Sequence, residues 1–574
     1  MGQLCGKCMK LLQDFVSFVK RMSSSLVQRI KECLVMISEC SCLKRNGSEA
    51  RQLYQPVLQP HEKETAQEFL QHIETGFELS LLGKNSLEAL RTLAFSENPG
   101  LQQSAALYYL HLSQHLISQL TEEHLEPYYA LLQSSDVEVQ QMSSLSLVNF
   151  LLEGNINRDL VVQMGLLELI LELLELGDST VQCNSCACIM TLAASESNQE
   201  AITSAGGVIP LLALANSYDP RVQQNAVGAI LNLTQSEWIQ QVLCREGALP
   251  VLTLLLESPD SEVQYYSCTA LSNLAANSHH HEAMLRTGEG FLLRTLISLL
   301  FSSVEKVSSQ ACVCLRNLAV SVHIQADIIA MDVLPQLLSL LASSSTDVQR
   351  ASIALLWKLS QHPGNQDTLT CGEMLNTLGK LLLTHKADPV LVGHAACIIK
   401  NLILPQNMQR IMESSCFEGL CYTILSPDVQ EEPLHYVIAC LAELAKHEGS
   451  AFHMLQWMDE SLIKCLVKLA GQLQHTEPSF QAASIIQHAI CHEKVRSLLK
   501  CHIKDIQCYI MNFLTHQEIR FQQLGISTIC KLQEDPEFSS AIRQSQLMEH
   551  LERVHQQTEE TQKLLRVVIN HMDI

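Results

Sequence analysis

Hydrophobic and polar positions along this chain recur in blocks. Val139-Gln140-Gln141-Met142, Val181-Gln182-Cys183-Asn184, Val222-Gln223-Gln224-Asn225, Val263-Gln264-Tyr265-Tyr266, Val307-Ser308-Ser309-Gln310 and Val348-Gln349-Arg350-Ala351 each open a stretch that reads as helix. Ten residues after each valine falls a shared slot, held by Asn149, Thr191, Asn232, Asn273, Asn317 and Lys358. Weaker copies begin at Leu101, Leu391, Pro433, Pro478 and Phe521, with slots at His111, Asn401, Glu443, His488 and Lys531. The eleven anchors are 38 to 45 residues apart, 42 on average. A period of this length, built from two or three helices per unit, marks a stacked helical array.

Each block carries its own punctuation. Asp136, Asp178, Asp219, Asp260 and Asp347 stand just before the anchors, where a carboxylate caps the helix that follows. Glycine or a short turn then leads into an apolar helix, as in Gly165-Leu166, Gly206-Gly207-Val208, Gly247-Ala248 and Asp332-Val333. Pro210, Pro250 and Pro335 sit near the starts of those helices, where no amide hydrogen is needed. The unit is thus a short helix, a middle helix and a longer third one.

This three-helix unit with an asparagine slot resembles the armadillo repeat, over about residues 60 to 545. The resemblance implies an all-α fold, a right-handed α-solenoid of about eleven armadillo-type repeats. We expect the solenoid over 65–545, a linker over 47–64 and a C-terminal helical cap over 546–574, whose role in self-association stays open. Within the family, Met1-Gly2 followed by cysteines and then an acidic array is similar to the fungal vacuole-membrane adaptors. Those adaptors place the cysteines almost directly before the repeats, whereas this chain interposes a longer amphipathic segment.

Composition agrees with helix packed on helix. Of the 574 residues 47% are hydrophobic, enough for a continuous core, while only 5% are aromatic, fewer than strand-rich folds use. A net charge of −22 is the wrong sign for coating nucleic acid. No run of 18 apolar residues occurs, nor a secretory leader, so the expected compartment is cytosolic and the 22 cysteines read as buried thiols.

Charge is concentrated at the start. Residues 1–46 carry eight basic and three acidic side chains, leaving −27 for the rest. Leu11, Leu12, Phe15, Phe18 and Val19 fall on one helical stripe, which together with the basic residues reads as a membrane-surface element. Gly2 is the residue that takes myristate, and Cys5 and Cys8 are placed for a second acyl chain such as palmitate. One chain binds a bilayer marginally and two bind it stably. Position six is Gly6, where the simple myristoylation pattern has a hydroxyl.

The third helices are expected to line a concave face. The resemblance implies that Asn149, Asn232, Asn273, Asn317 and Asn401 point into it and bond the backbone of an extended peptide, a task suited to an amide that donates and accepts. Tyr266 and Gln310, seven residues before their slots, share that face, and Arg316, Lys358 and Lys400, on or beside the slot in three successive units, add cations for acidic ligand side chains. Nuclear transport adaptors of the same architecture carry tryptophan four residues before the slot, where this chain has Leu145, Gly228, Thr269, Val313 and Cys397. Binding of Lys-rich signals is therefore disfavoured.

No phosphate loop, metalloprotease motif or nucleophile elbow occurs, and no cofactor or metal is expected. Cys183, Cys186 and Cys188 lie within a repeat helix, and His279-His280-His281 reads as an exposed polar turn. The expected function is a non-enzymatic adaptor on the cytoplasmic face of the vacuole or lysosome, holding partner proteins in its groove; the alternative is a soluble scaffold, such as a small-GTPase chaperone or ubiquitin-ligase subunit.

Overall fold

The computed structural model describes residues 58–75, 84–385, 387–426, 430–447, 455–554 and 558–572. Among these, every regular element is a helix. Residues 1–57, and with them Gly2, Cys5 and Cys8, lie outside the described part. The segment read as a linker enters the description at 58, and from Pro60 to Thr75 the chain is helical. The chain divides into two compact units, Met1–Leu296 and Ile297–Ile574.

The first unit is built on the helices α1 (Pro99–His115), α2 (Val137–Glu153), α3 (Ser179–Leu192), α4 (Pro220–Leu233) and α5 (Ser261–Ala275), each packed on the next. The second is built on α6 (Glu305–Leu318), α7 (Thr346–Ser360), α8 (Pro389–Leu402), α9 (Glu431–Ala445), α10 (Thr476–Ala489), α11 (Ile519–Leu532) and α12 (Glu559–Met572), again in succession. Shorter helices before each of these complete the units, giving α-solenoid architecture. Every anchor of the sequence period is the third residue of its helix, from Leu101 in α1 to Phe521 in α11. The helix read as a cap, α12, packs on α11, whose Gln523 donates to the hydroxyls of Thr558 and Thr561 at 3.1 and 3.2 Å.

The recurring Val-Gln pair has a physical reason. Val139, Val181, Val222 and Val263 are fully buried, each contributing on the order of 2 kcal/mol of transfer free energy. The glutamine beside the valine reaches back to the end of the preceding helix. Gln182 Nε2 donates to the carbonyls of Leu174 and Leu176, Gln223 to that of Ala215, and Gln349 to those of Leu341 and Ser343, at 2.6 to 3.2 Å. Those carbonyls have no intrahelical partner, so one side chain satisfies a helix end and fixes the corner between two helices.

Capping fixes the other end. Asp136, Asp178, Asp219 and Asp260 each accept the amide hydrogen two residues on, at 2.8 to 3.0 Å, a contribution of about 1 kcal/mol per cap. The turn into the middle helix needs a left-handed residue, which Gly247 supplies at φ 88° and Asp332 at φ 55°.

The two units differ in charge. Residues 58–296 hold eight basic against 28 acidic side chains, a net of −20; residues 297–574 hold 21 against 28, a net of −7.

Candidate functional site

The slot asparagines mark the face that the sequence assigns to a ligand. In the structure the amide nitrogens of four of them turn toward the preceding third helix. Asn149 Nδ2 donates to Ser113 Oγ at 3.0 Å, Asn273 Nδ2 to Thr234 Oγ1 at 2.9 Å and Asn401 Nδ2 to Ser360 Oγ at 3.0 Å. Asn232 Nδ2 donates to the carbonyl of Met190 at 2.8 Å. Three of the four acceptors are hydroxyls two residues past the slot of the preceding unit, a Ser/Thr signal in the sequence that the reading of single blocks missed. The same bonding recurs seven residues earlier, where Asn184 Nδ2 meets Ser144 Oγ and Asn225 Nδ2 meets the Cys183 carbonyl.

These bonds change the expected division of labour. Asn149 is fully buried and Tyr266 is 3% exposed, so neither presents a surface to a ligand in this arrangement. Asn232, Asn273, Asn317, Asn401 and Gln310 are half-buried. Asn317 differs from the others in that its Oδ1 accepts from Arg316 Nε and Nη2 at 3.3 and 3.0 Å. We expect Asn232→Ala or Asn401→Ala each to lower stability by about 1 kcal/mol, read from the urea midpoint; an unchanged midpoint would mean that the helix-to-helix bond contributes nothing.

Within the second unit, Arg316 on α6, Lys358 on α7 and Lys400 on α8 come from successive third helices, at or beside their slots. Lys358 Nζ donates to Gln361 Oε1 at 3.2 Å. Among the described residues no carboxylate pairs with any of the three, although this chain has 22 more acidic than basic residues. The neighbouring His394 is held below the usual histidine range, by burial first and by the Arg316 charge second. This face therefore combines unpaired cations with a neutral imidazole, which suits carboxylates on a ligand.

Other candidates do not converge on chemistry. Among the described residues no group of three or more His, Cys, Asp or Glu side chains is placed to hold a metal ion. Burial pushes the Cys183 thiol up to about 11 and Cys186 and Cys188 well above the ordinary value, which keeps all three protonated. The histidine run is not an exposed turn throughout. His279 is exposed, but His280 and His281 are 7% and 9% exposed; His280 Nδ1 lies 3.6 Å from Cys244 Sγ, and His281 Nε2 lies 2.7 Å from the Ala275 carbonyl. Among the described residues no single helix is long and apolar enough to cross a membrane.

Comparison with known proteins gives the same architecture and a family. The armadillo/beta-catenin-like repeat profile matches residues 195–235 and 239–276. Vacuolar protein 8 of Schizosaccharomyces pombe is 39% identical over 501 residues, covering 86% of this chain and 89% of that protein. Vacuolar protein 8 of Komagataella pastoris is 40% identical over 126 residues, 22% of each chain. Among solved structures, one bearing on a phosphorylation switch that controls the interaction between cadherin and beta-catenin aligns over 84% of this chain and all of that one, with a TM-score of 0.64 at 13% identity. An engineered protein aligns over 71% of this chain and 99% of its own, with a TM-score of 0.60 at 22% identity. The chain belongs to the armadillo-repeat family, in the branch that Vacuolar protein 8 represents.

Proposed function

We propose that the chain is a non-enzymatic adaptor of the vacuolar or lysosomal membrane, which takes extended, acidic segments of partner proteins on the face formed by its third helices. The observation that carries the reading is the set of unpaired cations Arg316, Lys358 and Lys400 on successive helices of an acidic chain. Kinship to Vacuolar protein 8 over most of the length supports an adaptor, and that relative's name supports the vacuole. Within the second unit the half-buried Asn401 and Gln310 flank the ligand beside these cations. Charge reversal of Arg316, Lys358 and Lys400 to Glu together is expected to weaken binding of a Glu-rich decapeptide at least tenfold by fluorescence anisotropy. Unchanged affinity would overturn the reading.

Attachment runs through the N-terminus: myristate on Gly2, with acyl chains on Cys5 and Cys8, draws the basic first residues to the cytoplasmic leaflet. Gly2→Ala is expected to move the protein from the membrane pellet to the soluble fraction, together with loss of the acyl mass from the N-terminal peptide. A wild-type N-terminus without acyl mass would remove the anchor and leave the peptide-binding face.

A further inference from the structure

In the second unit the rings of two successive third helices meet, and a ring from the next third helix lies against the residue beside the second of them. Trp357 stands one residue before the slot of α7, while His394 and Tyr436 stand seven before the slots of α8 and α9. A residue seven before the slot shares the slot's face of the helix. The Trp357 and His394 rings lie 5.1 Å apart between centroids, tilted by 36°. The Tyr436 ring rests on Gly393, where an added Cβ would meet Cδ2 at 3.6 Å. Trp357 and His394 are half-buried and Tyr436 is 38% exposed.

The surroundings limit what these rings accept. The Lys358 ammonium lies 5.6 Å from the centroid of the Trp357 ring, and Arg316 is close enough to His394 to disfavour its protonation. A lysine or arginine brought to these rings would meet two resident cations at once, so a cationic ligand side chain is repelled here despite the aromatic faces. An uncharged flat ring meets no such opposition and gains stacking contact. Carboxylates on either side of that ring would find Arg316 and Lys358.

We propose that Trp357, His394 and Tyr436 cradle one aromatic side chain of the bound segment and so select, among acidic segments, those carrying such a ring. The proposal rests on the reading of this face as the peptide site and adds its specificity determinant.

Two synthetic decapeptides test it: both Glu-rich, one with a central phenylalanine and one with alanine in its place, measured against the full chain by fluorescence anisotropy. The phenylalanine peptide is expected to bind roughly 3- to 10-fold more tightly. Trp357→Leu and Tyr436→Ser should each reduce that preference while leaving the alanine peptide's affinity unchanged, and Arg316→Glu should weaken both peptides alike. Circular dichroism and melting identify any variant that fails to fold. An independent readout uses Trp238→Phe/Trp457→Phe, which leaves Trp357 as the one tryptophan of the three; its emission should shift with the phenylalanine peptide and much less with the alanine peptide. Equal affinity of wild type for the two peptides, or a preference that survives Trp357→Leu, overturns the cradle and leaves the acidic-peptide site standing. Failure of both peptides to bind overturns the peptide site and the cradle with it.

Discussion

Gly379→Ala is expected to destabilise the second unit by about 3 kcal/mol or more, although alanine is the better helix former by about 1 kcal/mol. Gly379 lies in the helix Met374–Thr384, which packs against the helix Cys416–Leu425 through Gly379 and Gly419. A Cβ at Gly379 would overlap Ser415 Oγ and the Ser415 backbone, and a Cβ at Gly419 would come within 2.9 Å of the Gly379 carbonyl. Backbone cannot rotate away as a side-chain end can. The seam is also pinned by Ser415 Oγ donating to the Asn376 carbonyl at 3.1 Å and Thr423 Oγ1 approaching the Leu382 carbonyl at 3.4 Å. Any separation of the helices to admit the methyl group stretches these bonds. Gly471→Ala is the control: its added Cβ meets nothing closer than 3.5 Å, and its effect should stay within about 1 kcal/mol. Chemical unfolding of the two variants side by side decides the matter, and equal midpoints would remove the close-approach argument.

Acidification from about pH 7 to 5 is expected to destabilise the protein through its buried histidines. His111 on α1 is 6% exposed, and its pKa is pushed down to about 4, chiefly by burial, with His115 at 4.6 Å between ring centroids adding repulsion. Burial likewise lowers His124, His280 and His394. A histidine whose folded pKa is depressed stays neutral while its unfolded counterpart, near 6.5, takes up a proton. The stability associated with the neutral form is therefore complete above about pH 6.5 and is lost as pH falls from there toward 4. For His111 alone the loss by pH 5 is about 1–2 kcal/mol. Melting temperatures from pH 7.5 to 5 should fall more steeply for wild type than for His111→Gln; parallel curves would show that this imidazole is not held neutral.

The repeat was legible because its signals are local. A buried valine, a capping aspartate three residues before it and a corner glycine are each set by the backbone of one unit, and all eleven anchors fall at the same position in their helices. The site was less legible because its geometry is shared between units. Whether a slot asparagine serves a ligand or a neighbour depends on a hydroxyl some 40 residues away, such as Ser113 for Asn149 or Ser360 for Asn401. Burial of Tyr266 and of His280 likewise depends on what packs over them and not on their own blocks. The ring pair Trp357 and His394 occupies different positions in its two repeats, so a search at one fixed offset from the slot passes over it.

The succession of third helices, each resting on the one before, has a consequence for how the chain is made. In either unit the contacts join segments separated by about one repeat, so no early residue waits for a distant late one before it can be buried. Loop-closure entropy stays small at every step, and a stack of this kind nucleates locally and extends by adding units. Residues up to Leu296 can therefore complete their own contacts while the ribosome is still synthesising those from Ile297 onward. Chains interrupted near that point should resist limited proteolysis up to their last complete helix.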